Sequence, residues 1–429
     1  MSSEVRTTHT PPAVDWRFKG FPPASGLQVS VSVLPRQNWN LLKGDLLLPV
    51  MVLKRTALTH NIAMMADYCR RHNVALAPHA KTSMAPQLLA EQRDAGAWGF
   101  TVASTSQAVA LRALGFNRLL LASQMVEPQA ITWVANELRD DPSFEFMALV
   151  DSLEAVAIMD ETLQQCGATR PLRVLVELGQ WGGRTGCRTA EDAERVVHAV
   201  LATRTLELAG VEGFEGLIAG GTPEQTMAAV NEFLESMRAL VERLAKVGAF
   251  DHLETVAVSA GGSAYFDRVI EYLTNFDIGR PVLTMLRSGC YVTHDHEMYE
   301  CTSPLAGRGV GPSRLLPAFE LWGAVLSRPE PNLAIVGIGK RDAPSDYLLP
   351  LPLNVIQRDG VERSVAGTFR VTSLNDQHAY LEVPGDDPVG PGDRINFGIS
   401  HPCTAFDKWR LIPVVDDEYN VVDAIETFF

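Results

Sequence analysis

At 429 residues the chain exceeds one ordinary domain and suits a large domain with a smaller one. Its composition, 46% hydrophobic and 21% charged, is globular, and no apolar run approaches the ~18 residues of a membrane span. A net charge of -14 argues against nucleic-acid binding, which needs a basic stripe, and mainly promotes solubility. The start, "MSSEVRTTHTPPAVDW", has no basic patch followed by an apolar stretch. The six cysteines are scattered without a CxxC pair, so a reducing, cytoplasmic setting is expected.

Residues 1–46 are Pro-rich without clear periodicity and are expected to pack on the other domains. From residue 47, β-branched runs alternate with longer helical patterns, as βα units do. "LLPVMVLKR" comes first, followed by a helix around "ALTHNIAMMADYCRRHN". Then come "VALAPHAK", "WGFTVAS", "RLLLAS", "FEFMALVDS", "LRVLVELG", "LELAGVEGFEG", "ETVAVSAGG" and "PVLTMLRSG". Those eight runs predict an α/β fold, a (β/α)8 TIM-type barrel within residues 47–304. In "TPEQTMAAVNEFLESMRALVERLAKVG", Met227, Val230, Phe233, Leu234 and Met237 recur at helical spacing and read as core packing. Residues 305–429 are richer in Pro and Gly, with short β-type runs such as "NLAIVGIG" and "DRINFGIS", and predict a C-terminal β domain.

In a barrel of this kind the carboxyl ends of the strands form the active face, and the loops after strands 7 and 8 commonly hold a phosphate. The first strand runs into "PHAKTS", where Lys81 either reaches water or is present for its amine. The strand-7 exit, "SAGGS", offers the hydroxyls of Ser259 and Ser263 and close backbone approach at Gly261 and Gly262. The strand-8 exit, "LRSGCYV", places Arg287 beside Gly289, and the strand-5 exit, "ELGQWGGRTGCR", presents Arg184. Three anion-friendly loops and a lysine at one mouth describe a pocket for a phosphorylated aldehyde, which pyridoxal phosphate fits. Near the C-terminus "SHPCTAFDKW" sets His401 and Cys403 two residues apart, either a structural pair or a metal pair. "THDHEMYE", with His294, Asp295, His296 and Glu297, reads as a polar loop near the barrel mouth.

The segment "LPVMVLKRTALTHNI…PHAKTS" resembles the start of the alanine-racemase-type (fold type III) pyridoxal-phosphate enzymes, in their D-threonine aldolase and D-serine dehydratase branch. The likeness runs from about residue 47 to the C-terminus. It implies that Lys81 binds the cofactor covalently and that Arg184 lies near its phenolic oxygen. Ser259, Gly261, Gly262 and Ser263 would form the phosphate loop, with Gly289, Cys290 and Tyr291 continuing the cradle. Arg287 would face the pyridine nitrogen and keep it unprotonated. Two departures stand out: "GQWGGR" carries extra residues, and "GFEG" has Phe214 where the aldolases carry a tyrosine.

The resemblance also makes His401 and Cys403 the metal pair, because D-serine dehydratases have His-x-Cys where D-threonine aldolases have His-x-Asp. Imidazole with thiolate selects a borderline-soft ion, most simply Zn²⁺. The expected activity is that of a pyridoxal-phosphate- and metal-dependent lyase. It would take a D-configured 3-hydroxy amino acid and eliminate water to give a 2-oxo acid and ammonia. The alternatives are retro-aldol cleavage to glycine and an aldehyde, and a non-catalytic pyridoxal-phosphate carrier. A small D-amino acid is the expected partner, with no nucleic acid and no membrane. The resemblance further implies a homodimer.

Overall fold

The computed structural model describes residues 10–22, 29–309 and 314–429. Two units emerge from its contacts, and the chain crosses between them more than once. One gathers Ala66–Lys81 and Gln92–Gly289; the other gathers residues 10–65, Thr82–Glu91 and Cys290–Phe429.

The first unit is the expected barrel. Its strands are β1 (Ala75–Leu76), β2 (Phe100–Val102), β3 (Arg118–Gln124), β4 (Glu145–Val150), β5 (Leu172–Leu178), β6 (Leu206–Gly213), β7 (Val256–Ala260) and β8 (Val282–Leu286). They correspond one for one to the eight apolar runs, and all neighbours pair in parallel in the order β1-β8-β7-β6-β5-β4-β3-β2. The two ends of that sheet meet. Trp98 N–H donates to Leu76 O at 2.7 Å, Thr101 N–H donates to Pro78 O at 2.9 Å, and His79 bridges Thr101. Closure removes both sheet edges. Leu120, Met147, Leu149, Leu175, Ala209, Ala257 and Met285 fill the inside.

Helices cover the outside, and four of them begin in the same way. Ser104, Ser152, Thr189 and Thr222 each accept a hydrogen bond from a backbone N–H of the first turn. That satisfies a donor that the helix itself cannot pair. The long helix Pro223–Lys246 buries Val230, Phe233, Leu234 and Met237, with Met227 half-buried at its start, so the stripe packs inward.

The second unit is antiparallel around the strand Phe319–Glu330, which pairs with Arg394–Gly398, Leu333–Val336 and Val50–Lys54. Val50–Lys54 also pairs in parallel with Leu411–Val415. The run "LLPVMVLKR", within the residues expected to begin the barrel part, therefore belongs to the sheet of the β unit. The N-terminal segment packs here too. Val14, Phe18, Phe21, Val31, Leu34 and Leu41 join Val50, Val52, Trp322 and Leu411 in one core cluster. Residues 1–9 and 23–28 of that segment lie outside the described residues.

One glycine controls how β6 meets its neighbours. The β5–β6 register slips by one residue, from Val174 opposite Leu208 to Leu175 opposite Gly210. Gly210 has φ +153°, and a Cβ there would sit 1.8 Å from Ala257 O on β7. Gly210→Ala should lower the unfolding midpoint, through overpacking of about 1–3 kcal/mol in addition to backbone strain. Gly167→Ala is the control, since Gly167 has φ +67° but open space around it. Equal losses in denaturant titrations of the two variants would contradict this account.

Candidate cofactor and metal sites

Lys81 lies in a short 3-10 turn, Ala80–Thr82, just beyond the end of β1, and is half-buried. Among the described residues its amine has no hydrogen-bond or ion-pair partner. Two residues earlier, the half-buried His79 ring is pushed well below the ordinary histidine pKa. Burial is the main cause, followed by the charges of Lys81, Arg287 and Arg184. A neutral imidazole therefore adjoins the lysine.

Arg287 follows β8 and is buried. Its guanidinium donates to Ser259 Oγ at 2.9 Å and to Gly213 O at 3.1 Å, and it forms an ion pair with Glu212. The second Glu212 oxygen is buried without a partner. Burial pushes the Glu212 carboxyl up to about 7 against the opposing pull of Arg287. The arginine expected at the pyridine nitrogen thus has its charge compensated by a residue of β6.

The N–H groups of the glycine pair in "SAGGS" are taken by a carboxyl group of the chain itself. Glu215 is fully buried, and its two oxygens accept from Gly261 N at 3.0 Å and Gly262 N at 2.9 Å. Ser288 Oγ donates to Gly262 O at 2.7 Å, and Ser263 is buried alongside. Arg184 is exposed, with its guanidinium carbon 4.8 Å from the Phe214 ring centroid. The phenylalanine that departs from the aldolase pattern thus serves as a cation–π platform. A partnerless amine and an exposed arginine suit a phosphorylated aldehyde, whereas the Gly261 and Gly262 N–H groups expected to hold its phosphate are taken by Glu215.

The second unit holds the other group of predicted residues. His401 Nδ1 lies 2.6 Å from Asp346 Oδ2, and Thr404 Oγ1 donates to Asp346 Oδ1 at 2.7 Å. Such a carboxylate fixes an imidazole's orientation and leaves Nε2 for a ligand. Cys403 Sγ lies 3.3 Å from Cys290 Sγ and 3.4 Å from Thr82 Oγ1. Hydrogen bonding from Cys290, then from His401 and Thr82, holds the Cys403 thiol well below its ordinary pKa. The Cys290 thiol is driven the other way, by Cys403 and by burial. His401 rises to about 9, chiefly through Cys403 and then Asp346. An oriented imidazole beside a thiolate fits zinc. Among the described residues no three His, Cys, Asp or Glu side chains are arranged around one metal position. Cys290, expected in the phosphate cradle, directs its sulfur at Cys403, while Tyr291 is buried in the same turn and Gly289 ends the barrel unit.

Residues 53–294 match the family model described as "Alanine racemase, N-terminal domain". The chain belongs to that family. Residues 318–415 of this alanine-racemase-type chain also match a "Putative serine dehydratase domain". It is similar to a D-threonine aldolase of Arthrobacter sp, at 24% identity over 86% of this chain and 89% of the relative. Among solved structures it resembles D-threonine aldolase from Filomicrobium marinum, with TM-score 0.72, 22% identity, and 89% and 95% of the two chains covered. It also resembles D-threo-3-hydroxyaspartate dehydratase from Delftia sp. HT23, with TM-score 0.69, 22% identity, and 91% and 99% covered. It is likewise similar to a cysteine-to-alanine variant of a D-threo-3-hydroxyaspartate dehydratase in a metal-free form.

Glu212, Glu215 and Asp346 escaped the sequence reading. Glu215 stands inside "GFEG", but nothing local marks its partners, and Asp346 lies in a loop without a motif.

In "THDHEMYE" Thr293, His294 and Asp295 are buried, and His296 to Glu300 are half-buried. His294 is 1% exposed, bonds Glu300 Oε2 at 3.0 Å through Nε2, and is pushed down to about 4, by burial and then by Arg314. Its folded pKa is depressed, so its contribution to stability is complete above pH 6.5 and is lost as the pH falls towards 4. Glu212 and Asp295, each raised to about 7, act in the opposite sense over the same range. The informative quantity is therefore a difference. His294→Asn, which tolerates the φ of 48°, should lose less stability on acidification than wild type, by at most about 3 kcal/mol. Identical pH profiles of the urea midpoint would contradict the buried neutral imidazole.

Proposed function

We propose that this protein is a pyridoxal-phosphate- and metal-dependent lyase that removes water from a D-configured 3-hydroxy amino acid, in the manner of a D-serine dehydratase. Lys81, Arg184, Ser263 and Gly289 would hold the cofactor, with Arg287 and Glu215 shaping its surroundings. The bound cofactor supplies an electron sink that acidifies the substrate's Cα–H. Lys81 Nζ, which carries no competing partner, takes the Cα proton. The neutral His79 beside it adds no charge of its own to oppose a protonated amine. His401 and Cys403 would hold the metal, most simply Zn²⁺, which would supply Lewis acidity for loss of the substrate hydroxyl. Asp346 keeps the His401 ring in register, and Thr82 Oγ1 keeps the thiolate solvated. The enamine product then takes up water, giving a 2-oxo acid and ammonia.

The observation that carries this reading is the Asp346-oriented His401 next to the Cys403 thiolate. A thiolate favours a borderline-soft ion such as Zn²⁺, whereas a carboxylate in that place would favour a harder ion. The relative from Arthrobacter sp supports the second reading, retro-aldol cleavage, and both reactions use a Cα or Cβ bond of the same substrate class. A homodimer in the cytoplasm is part of the proposal. Light scattering on the purified protein should give twice the chain mass, and a fully active monomer would refute that part.

Products decide the reaction. With D-serine and D-threonine the protein should release pyruvate and 2-oxobutyrate with equimolar ammonia, chelator should stop it, and Zn²⁺ should restore it. Lys81→Ala should lower turnover by orders of magnitude with the fold unchanged. Acetaldehyde and glycine from D-threonine would make the protein an aldolase instead.

A further inference from the structure

Cys290 and Cys403 are 113 positions apart in the chain, yet their sulfurs lie 3.3 Å from each other within the β unit. Neither is in a disulfide. Cys290 opens the 3-10 turn Cys290–Val292 and is 4% exposed, while Cys403 opens the short helix Cys403–Phe406 and is partly exposed. The Thr82 hydroxyl touches both, at 3.8 Å and 3.4 Å. From this arrangement we propose that Cys290 and Cys403 form an oxidative modification site, closed to a disulfide by hydroperoxides. Closing requires the sulfurs to approach from 3.3 Å to about 2.05 Å, within reach of side-chain rotation.

The chemistry proceeds in two balanced steps. The Cys403 sulfur, the more exposed of the two, attacks the hydroperoxide O–O bond, gives up its thiol proton, takes one oxygen as a sulfenic acid and releases the alcohol. The Cys290 sulfur then attacks Cys403 Sγ, the S–O bond breaks, and water leaves. Two thiols lose two electrons and two protons in total, and the hydroperoxide is reduced. The buried Cys290 acts as the resolving partner and spares Cys403 from irreversible overoxidation. The functional consequence rests on the proposed metal role of Cys403: a disulfide sulfur is no longer a thiolate ligand, so oxidation would release the metal and reduction would restore it.

The test treats the metal-stripped full-length protein with tert-butyl hydroperoxide, alkylates free thiols and maps peptides without reduction. The expected result is a linked pair of peptides carrying Cys290 and Cys403, lighter by two hydrogens than the separate peptides and abolished by dithiothreitol. Calorimetric titration should show zinc binding lost in the oxidised protein and regained on reduction. Cys290→Ser, or Cys290→Ala if the first variant folds poorly, should abolish the link and leave Cys403 as sulfinic acid. A wild-type map showing sulfinic Cys403 with Cys290 free, or Cys403 joined to the exposed Cys301, overturns the proposal. If the link forms but neither redox state binds zinc, the modification site stands and the metal role of Cys403 falls.

Discussion

The barrel mouth depends on the buried ion pair between Arg287 and Glu212. Through its side chain Arg287 ties the end of β8 to Ser259 on β7 and to Glu212 and Gly213 O on β6. Its carbonyl accepts a hydrogen bond from the N–H of His79, two residues before Lys81, at 3.1 Å. Four neighbouring strand ends are thereby referred to one residue, three of them through its side chain. Burying both charges is costly, and removing one partner would strand the other. The arrangement therefore fixes position more than it adds stability. The resemblance had suggested an arginine whose bare positive charge faces the cofactor ring. With Glu212 raised to about 7 and paired to it, the charge at that end of the barrel depends on where one proton resides.

Electrostatics in the β unit follow the opposite design. There the charged groups are short-range and convert one thiol into a thiolate. The Cys290 thiol is the leading donor to Cys403, His401 and Thr82 follow, and Asp346 orients His401. Each donor favours the anion, so the cost of burying it is spread over several hydrogen bonds. A soft ligand prepared in this way suits a soft Lewis acid. The same preparation leaves the sulfur open to oxidation whenever no metal covers it.

Much of this architecture was readable in the chain, for a physical reason. Strands buried on both faces leave continuous apolar runs, and capped amphipathic helices separate them, so eight runs became eight strands. Lys81, Gly261, Gly262 and Arg287 could be placed at one mouth because the parallel barrel puts every strand end on the same face. Pairing across the chain was not readable. "LLPVMVLKR" has the same apolar texture as a barrel strand, but Val50–Lys54 finds its partners in Phe319–Glu330 and Leu411–Val415. Likewise, nothing near "GFEG" tells that Glu215 fills the donors of Gly261 and Gly262, and nothing near Asp346 tells that it holds His401. Periodicity encodes which face is buried; it does not encode which distant residue will meet it.

The central claim is that Lys81 is the amine on which the cofactor is carried. Borohydride reduction of the holoprotein, followed by proteolysis and mass mapping, tests it most directly. The account predicts a single phosphopyridoxyl adduct, on the peptide containing Lys81. An adduct on Lys54, Lys340 or any other lysine, with Lys81 unmodified, would contradict it.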